Sequence, residues 1–454
     1  MDLSEYSRFK RCLEWYGTDP EYRKLMDSSP SGAIGFLGYT DWLRNSDSVK
    51  EAILWELFRQ GDPSSVENNP YASIMDQYYR SVSQKACIPN NSDHYRSSGI
   101  YSYEKRQQTR CQMECSLIRT HPDIFYHPFV FELSVGCSIQ CPFCGFSAEK
   151  LSDRFVFTPE NSALFRDVIS AAFQFIGPVL GCCPLYFATE PLDNPDYEKF
   201  LEDFRNITGE FPQTTTAAAD IHPEKIRTLL SIIGEDYAEE NASLRFSIRS
   251  ISQFRRIVSL FSPEETAHIE FLSNNPESVH RLSDSGRTAE GKSGAAEIKK
   301  SRYSISCAAG FKVNFSLRKI DFIEPELPDS TYPLGYRIRE TQYFENPAQF
   351  LQILEGMADR YMFDTMPRHV PLCFNRNIRI LEQNGLFLFL GDQTGYKIGK
   401  NIFTAEMVNG IQKGLPFSEI ELRLRSAFRL STEECERIFQ AFNELFLRGY
   451  ICTE

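Results

Sequence analysis

Three cysteines fall within eight residues of the string VGCSIQCPFCGFSA, which runs from Val135 to Ala148. They are Cys137, Cys141 and Cys144, spaced C-x3-C-x2-C, with the aromatic Phe143 just before the third. The chain has 13 cysteines, an odd and scattered set, and its charged start lacks the apolar stretch of a secretory signal. That pattern reads as a protein of a reducing compartment, where clustered thiols bind metal rather than pair with each other. Three thiolates can serve one metal ion or three corners of an iron–sulfur cubane. A closed structural zinc site takes four ligands, and Cys111 with Cys115 could complete one. A cubane on three cysteines would leave one iron open to a substrate or cofactor.

The elements expected around these thiols alternate. FVFELSVG (129–136) is a β-rich run that leads directly into the cysteine string. TPENSALFRDVISAAFQFIG (158–177) predicts a helix, with Thr158 as N-cap, Pro159 at the first position and an apolar face through Leu164, Phe165, Val168, Ile169, Ala172 and Phe173. PLYFAT (184–189), TTTAAA (214–219), LRFSIRS (244–250) and HIEFLS (268–273) read as further strands, with helices at 197–207, 223–234 and 252–261 between them. Repeated βα units imply a parallel sheet, open or barrel-shaped, with chemistry at the C-terminal strand ends. Strand side chains alternate, so Ser247 and Arg249 share a face. Residues 281–302 lack a periodic core face and predict an exposed, mobile loop. Residues 5–60 look helical. From Ile378 onward, strands with turn signals at Asn384-Gly385 and Thr394-Gly395 precede three helical patterns, the last opened by a capping box at Ser431 and Glu434. That order suggests a winged-helix-like module.

The loop C-x3-C-x-aromatic-C after the first strand of a βα series closely resembles that of the radical S-adenosylmethionine (SAM) enzymes. The resemblance implies a partial (β/α)6 barrel of class α/β, one 4Fe–4S cluster on Cys137, Cys141 and Cys144, and SAM as cofactor. Ala188, Thr189, Glu190 and Pro191 stand where the family writes GGEP, so Thr189 and Glu190 would receive the amino group of SAM. Both glycines are replaced, which alters the backbone contact expected there. Ser247 would meet the ribose and Arg249 the methionine carboxylate, since a guanidinium fork suits a carboxylate. Backbone near Phe143 and Phe146, and the strand end at LSNNPE, would meet adenine. No C-x2-C-x5-C pattern follows, so no further cluster is expected.

The longer string FELSVGCSIQCPFCGFSA is similar to the peptide epimerases that act on proteusin precursors, the PoyD-like group. Residues 306–338 and VPLCFNRN (370–377) extend the similarity. The implied reaction converts L-residues of a ribosomal peptide to D-residues by Cα hydrogen abstraction, with a thiol returning hydrogen from the opposite face. Cys373 is the expected donor, with Cys307 as alternate. The C-terminal residues resemble a PqqD-like recognition element, which captures the leader of a ribosomal precursor peptide as an added strand. The implied division is an N-terminal helical region (1–125) capping the barrel, the barrel (126–300), a barrel-closing, substrate-facing segment (301–376) and the leader-recognition domain (377–454). A flavodoxin or ferredoxin would supply electrons. The rivals are a peptide crosslinking maturase of the same superfamily and a non-catalytic, zinc-containing peptide carrier.

The bulk composition fits a cytoplasmic globular protein. The 454 residues are 42% apolar and 24% charged. A net charge of −12 argues against a nucleic-acid binder. The longest uncharged run, Val168 to Thr189, is broken by Gly177-Pro178 and Pro184, so no membrane span is expected.

Overall fold

The computed structural model describes residues 3–58, 69–76, 92–114, 126–234, 244–280, 282–290, 300–301, 308–392 and 394–453. Cys87, Cys115 and Cys307 lie outside the described residues, as does the side chain of Cys111. No helix among the described residues is long and apolar enough to cross a membrane.

Helices α1 (Leu3–Thr18), α2 (Pro20–Ser28), α3 (Pro30–Phe36) and α4 (Ser46–Phe58) open the chain, followed by α5 (Ser98–Glu114). The first of these seats on the central layers. Trp15 packs edge-on against Phe254 at 4.9 Å, and Arg11 donates to Thr266 Oγ1 at 2.8 Å.

Strand β1 (His127–Glu132) leads into a short ribbon, β2 (Ser134–Val135) with β3 (Asp153–Arg154), whose far end carries the cysteines. Helix α6 (Pro159–Ile176) follows as its residues dictate. The Thr158 side chain caps the Asn161 N–H, and Phe165, Val168, Ile169, Ala172 and Ile176 form the buried face. Then come α7 (Tyr197–Thr208), β4 (Thr214–Thr216), α8 (Pro223–Ile233), β5 (Leu244–Ile248), α9 (Ile251–Leu260) and β6 (Glu270–Ser273). After β7 (Leu282–Ser283), α10 (Gly286–Ala289) and β8 (Lys300–Ser301), three long strands follow: β9 (Ala308–Asn314), β10 (Lys319–Pro325) and β11 (Tyr336–Tyr343), then α11 (Pro347–Tyr361).

Two sheets carry the centre. Strands β4, β5 and β6 are parallel; β1 pairs parallel with β9, and β10 and β11 add antiparallel. The expected strand at 184–189 does not form a ladder. Pro184 has no N–H to give, and the segment joins the sheets by separate bonds: Phe131 N–H donates to the Pro184 carbonyl at 3.0 Å, and Tyr186 shares a hydrogen bond with Thr215 at 2.6 Å. The regular strands therefore split into four and three rather than six in one arc. On β1 and β9, Phe129, Phe131, Phe311 and Val313 face the helices in one apolar core, while Val130, Glu132 and Lys312 line the other face.

A second correction concerns residues 281–302. Leu282 to Ala289 forms a short strand and a helical turn, with Ser283, Ser285, Gly286 and Thr288 buried while Asp284 and Ala289 stay exposed. Its burial is of hydroxyl and backbone groups, so no apolar period announced it. Residues 291–299 lie outside the described residues.

The C-terminal module has its own core. β12 (Leu372–Phe374) leads to a meander of β13 (Arg379–Gln383), β14 (Leu386–Leu390) and β15 (Gly395–Gly399), then α12 (Ile402–Gln412), α13 (Phe417–Phe428), α14 (Thr432–Leu447) and β16 (Ile451–Thr453). Asn384 and Gly385 turn the first hairpin at φ +51° and +70°, as a two-residue primed turn requires. The Ser431/Glu434 capping box forms.

Candidate active site

The cysteine string is a loop closed at its base by the β2–β3 ribbon and by a bridge between Cys137 and Lys150. Gly136 turns it at φ +80°, where a Cβ would strike the carbonyls of Glu149 and Lys150. Gln140 and Ser147 adopt φ +50° and +47°, a conformation that L-residues pay for in steric strain. The Gln140 amide compensates by donating to the carbonyls of Cys137 (2.8 Å), Ala148 (3.1 Å) and Glu149 (2.8 Å). Burial raises the Cys137 pKa, against the opposing pull of the Ile139 and Gln140 backbone N–H groups. Burial pushes the Cys141 thiol up to about 12, against the pull of the Arg249 cation beside it. All three thiols are half-buried and unpaired.

Glu190 is not a surface acid. It is 4% exposed, and its carboxylate accepts from the Leu192 N–H (3.1 Å), the Thr216 hydroxyl (2.6 Å) and the Ala217 N–H (2.8 Å). Burial raises its pKa to about 7. It thereby caps the turn Pro191–Asp193, and Asp193 accepts the Ser138 N–H of the cysteine loop at 2.8 Å. Glu190 joins the loop to the end of β4.

Strand β5 buries Leu244, Phe246 and Ile248 and turns Arg245, Ser247 and Arg249 to the opposite face, as alternation predicts. Ser247 accepts from Asn274 at 2.9 Å, within the LSNNPE strand end. Arg249 donates to the Ala217 carbonyl at 3.1 Å and lies 3.7 Å from Asp220. Phe143 is buried within the loop. Phe146 packs on Phe187 at 4.5 Å, with Tyr336 on their far side. Thr189 is half-buried beside Glu190.

The structure thus gathers Cys137, Cys141, Cys144, Phe143, Phe146, Thr189, Glu190, Ser247 and Arg249 at one end of the parallel strands. Sequence reasoning missed Glu132 and Lys312, an ion pair at 3.4 Å on the inner sheet face. Glu132 also accepts the Ala188 N–H at 3.0 Å. Their signal was a charge inside a β-rich run, at odds with a buried strand.

Cys373 sits elsewhere. It lies on β12 directly opposite Cys452 on β16, in a cavity of about 100 Å³ shared with Arg106, Arg110, Glu324 and Arg337. No residue of the cysteine loop or of β5 lines that cavity. Burial, then the neighbouring Cys373, pushes the Cys452 thiol up to about 12.

Among the described residues, no three His, Cys, Asp or Glu side chains converge on one metal-ion position. The three loop thiols share a loop and a charge environment rather than a single point. The donor chemistry suits an iron–sulfur cluster, which takes one thiolate per iron and accepts hydrogen bonds at sulfur. Two buried hydroxyls in this region, Ser147 in the loop and Ser285 just before α10, find no protein partner. A sulfur-rich group would offer acceptors to such donors.

No family model matches the chain. It is 30% identical over 318 residues to the uncharacterized protein y4wI of Sinorhizobium fredii (strain NBRC 101917 / NGR234), an alignment that covers 68% of this chain and spans 61% of the length of that relative. The crystal structure of BtrN in complex with AdoMet and 2-DOIA aligns with 44% of this chain and 73% of its own, at 13% identity and a TM-score of 0.30. A likeness that slight carries no argument about fold or function.

Proposed function

We propose that this chain is a radical SAM peptide epimerase. In this reading Cys137, Cys141 and Cys144 hold a 4Fe–4S cluster, Glu190, Thr189, Ser247 and Arg249 hold SAM, and the C-terminal module holds a ribosomal precursor peptide. The observation that carries it is the three-thiol loop tied through Asp193 to the Glu190 turn, which meets the end of β4 where Arg249 also bonds. A cluster and SAM, when bound, supply a carbon radical able to remove a Cα hydrogen. The chain's own part is binding, orientation and exclusion of water.

Arg249 offers a fork to a carboxylate. Glu190 has most of its acceptor capacity taken by the protein, so its role in this reading is to set the turn facing the loop as much as to meet an ammonium. The phenylalanine pair Phe146 and Phe187 gives an apolar wall against which a planar group packs. The epimerase assignment, rather than another radical reaction on a peptide, rests on the string FELSVGCSIQCPFCGFSA and on the fused strand-and-helix module. Inversion requires a hydrogen donor across the substrate; the resemblance names Cys373, whose cavity no residue of the cysteine loop lines, so it serves only if the bound peptide spans the two.

The test is anaerobic reconstitution of the full chain with iron and sulfide, followed by turnover with SAM, a reductant such as flavodoxin, and precursor peptide in D2O. The expected result is 5′-deoxyadenosine together with D-residues carrying deuterium at Cα and no other change in mass. Loss of two hydrogens would instead support crosslinking. A protein that binds zinc and forms no 5′-deoxyadenosine would overturn the reading.

A further inference from the structure

The cysteine loop is held from behind by the short turn α10, a segment far from it in sequence. Arg287 donates from Nη1 to the Cys141 carbonyl at 2.8 Å and from Nη2 to the Ala148 carbonyl and to Gln140 Oε1, the last at 3.1 Å. Its own backbone N–H donates to the Cys144 carbonyl at 2.9 Å. Thr288 donates from Oγ1 to the Phe143 carbonyl at 2.7 Å. The carbonyls of residues 141, 143, 144 and 148 are thus all taken by two adjacent residues. Gln140, which bonds the carbonyls of 137, 148 and 149, is itself fixed by Arg287.

The turn is anchored in its own right. Gly286 donates its N–H to the Pro333 carbonyl at 2.8 Å and adopts φ +52°. A Cβ there would strike the carbonyls of Cys144 and Gly145. A loop with left-handed residues and little ladder of its own must pair its carbonyls with something, since an unpaired buried carbonyl is costly. Here the partner is a cation, which makes the bonds charge-assisted.

We propose that Arg287 is the positioning residue of the cysteine loop: it fixes Cys137, Cys141 and Cys144 through the loop's carbonyls and through Gln140, and takes none of the three sulfurs as a partner. Thr288 completes the clamp. The proposal rests on the cluster reading of the loop for its second test arm only.

The first arm uses the metal-free, reduced full-length chain. Alkylation of the loop thiols by iodoacetamide and hydrogen exchange of amides 137–148 are followed by peptide mass in the wild type, Arg287→Ala, Arg287→Lys and Thr288→Val. Peptides bearing Cys373 and Cys452 serve as reference. Loss of a charged hydrogen bond predicts loop reactivity about tenfold or more above wild type in Arg287→Ala, less in Arg287→Lys, and an unchanged reference. Wild-type rates in the loop of Arg287→Ala would overturn the proposal. If the reference peptides also rise, the alanine chain is unfolding, and Arg287→Lys must then show a rise confined to the loop or the proposal fails.

The second arm reconstitutes each chain with iron and sulfide and reads the electron paramagnetic resonance spectrum and midpoint potential of the reduced protein. Both should shift in Arg287→Ala and move back toward wild type in Arg287→Lys. Identical spectra and potentials would overturn the positioning role. A wild-type chain that takes up no iron and sulfide would sink the functional reading instead, and the first arm would still decide Arg287.

Discussion

The loop between Val135 and Asp153 and the module from Arg379 to Thr453 keep their shapes by different means. The module is an apolar assembly: Phe387, Phe389, Met407, Ile411, Ile420, Leu424 and Phe442 close on each other, with side-chain caps at Asn401 and Ser431. Such a core tolerates swaps that conserve volume and spreads its cost over many contacts. The loop has little core. Gln140, Asp193, Arg287 and Thr288 hold it by hydrogen bonds to single backbone atoms. Directional bonds place atoms finely, and each has few substitutes. The contrast matches the proposed division of labour: ligand atoms at one end must be placed, while a peptide-capturing module need only stay folded and present an edge.

The sharpest break of this comparison is Cys141→Ala. We expect 5′-deoxyadenosine formation to fall to background, whereas Cys435→Ala in the module core should leave it at wild-type rate; chromatography of the nucleoside checks both. Equal loss in the two variants would erase the distinction. Next comes Phe442→Ala, at a fully buried position of the module. It should cost about 3–5 kcal/mol in urea unfolding of the module, and abolish precursor modification while SAM cleavage without peptide persists.

Glu190→Gln comes third. Its folded pKa is raised by burial from 4.5 to about 7. A raised carboxyl pKa means that the folded state holds the proton where the unfolded state has lost it. Stability from this group is therefore full below pH 4.5 and is lost as pH rises through about 7, an effect of about 3 kcal/mol. The difference in unfolding free energy between wild type and Glu190→Gln should drift by that amount across this window. A flat difference would show that Glu190 titrates normally. The smallest effect belongs to Ser431→Ala, which removes one cap and should cost about 1 kcal/mol in melting measurements with no change in chemistry.

What could be read from sequence follows the same division. The bounds of α6, the three module helices and the shared face of Ser247 and Arg249 were legible because apolar periodicity or strand alternation sets them. Leu282 to Ala289 was misjudged as an exposed loop because its buried groups are Ser285, Gly286 and Thr288, which carry no hydrophobic pattern. Glu190 was legible as a carboxylate of the site, but it caps a turn rather than ending a strand, and nothing local announces that Thr216 and Ala217 converge on it. The pairing of Cys373 with Cys452 joins residues 79 positions apart.

That last pairing also fixes an order of events. As the chain is synthesised, β12 emerges before the meander and the three helices, and waits unpaired until β16 exists. Asn375 completes the seam by donating to Tyr450, and Arg106 of α5 lies over the Phe446 ring at 4.4 Å. The module's helices are therefore all synthesised before the seam to the preceding elements can zip. Late, long-range closure of this kind is slow compared with local helix formation. During that interval the cavity around Cys373 has no floor, because Phe446, Gly449 and Ile451 to Thr453, which line it, are not yet in place.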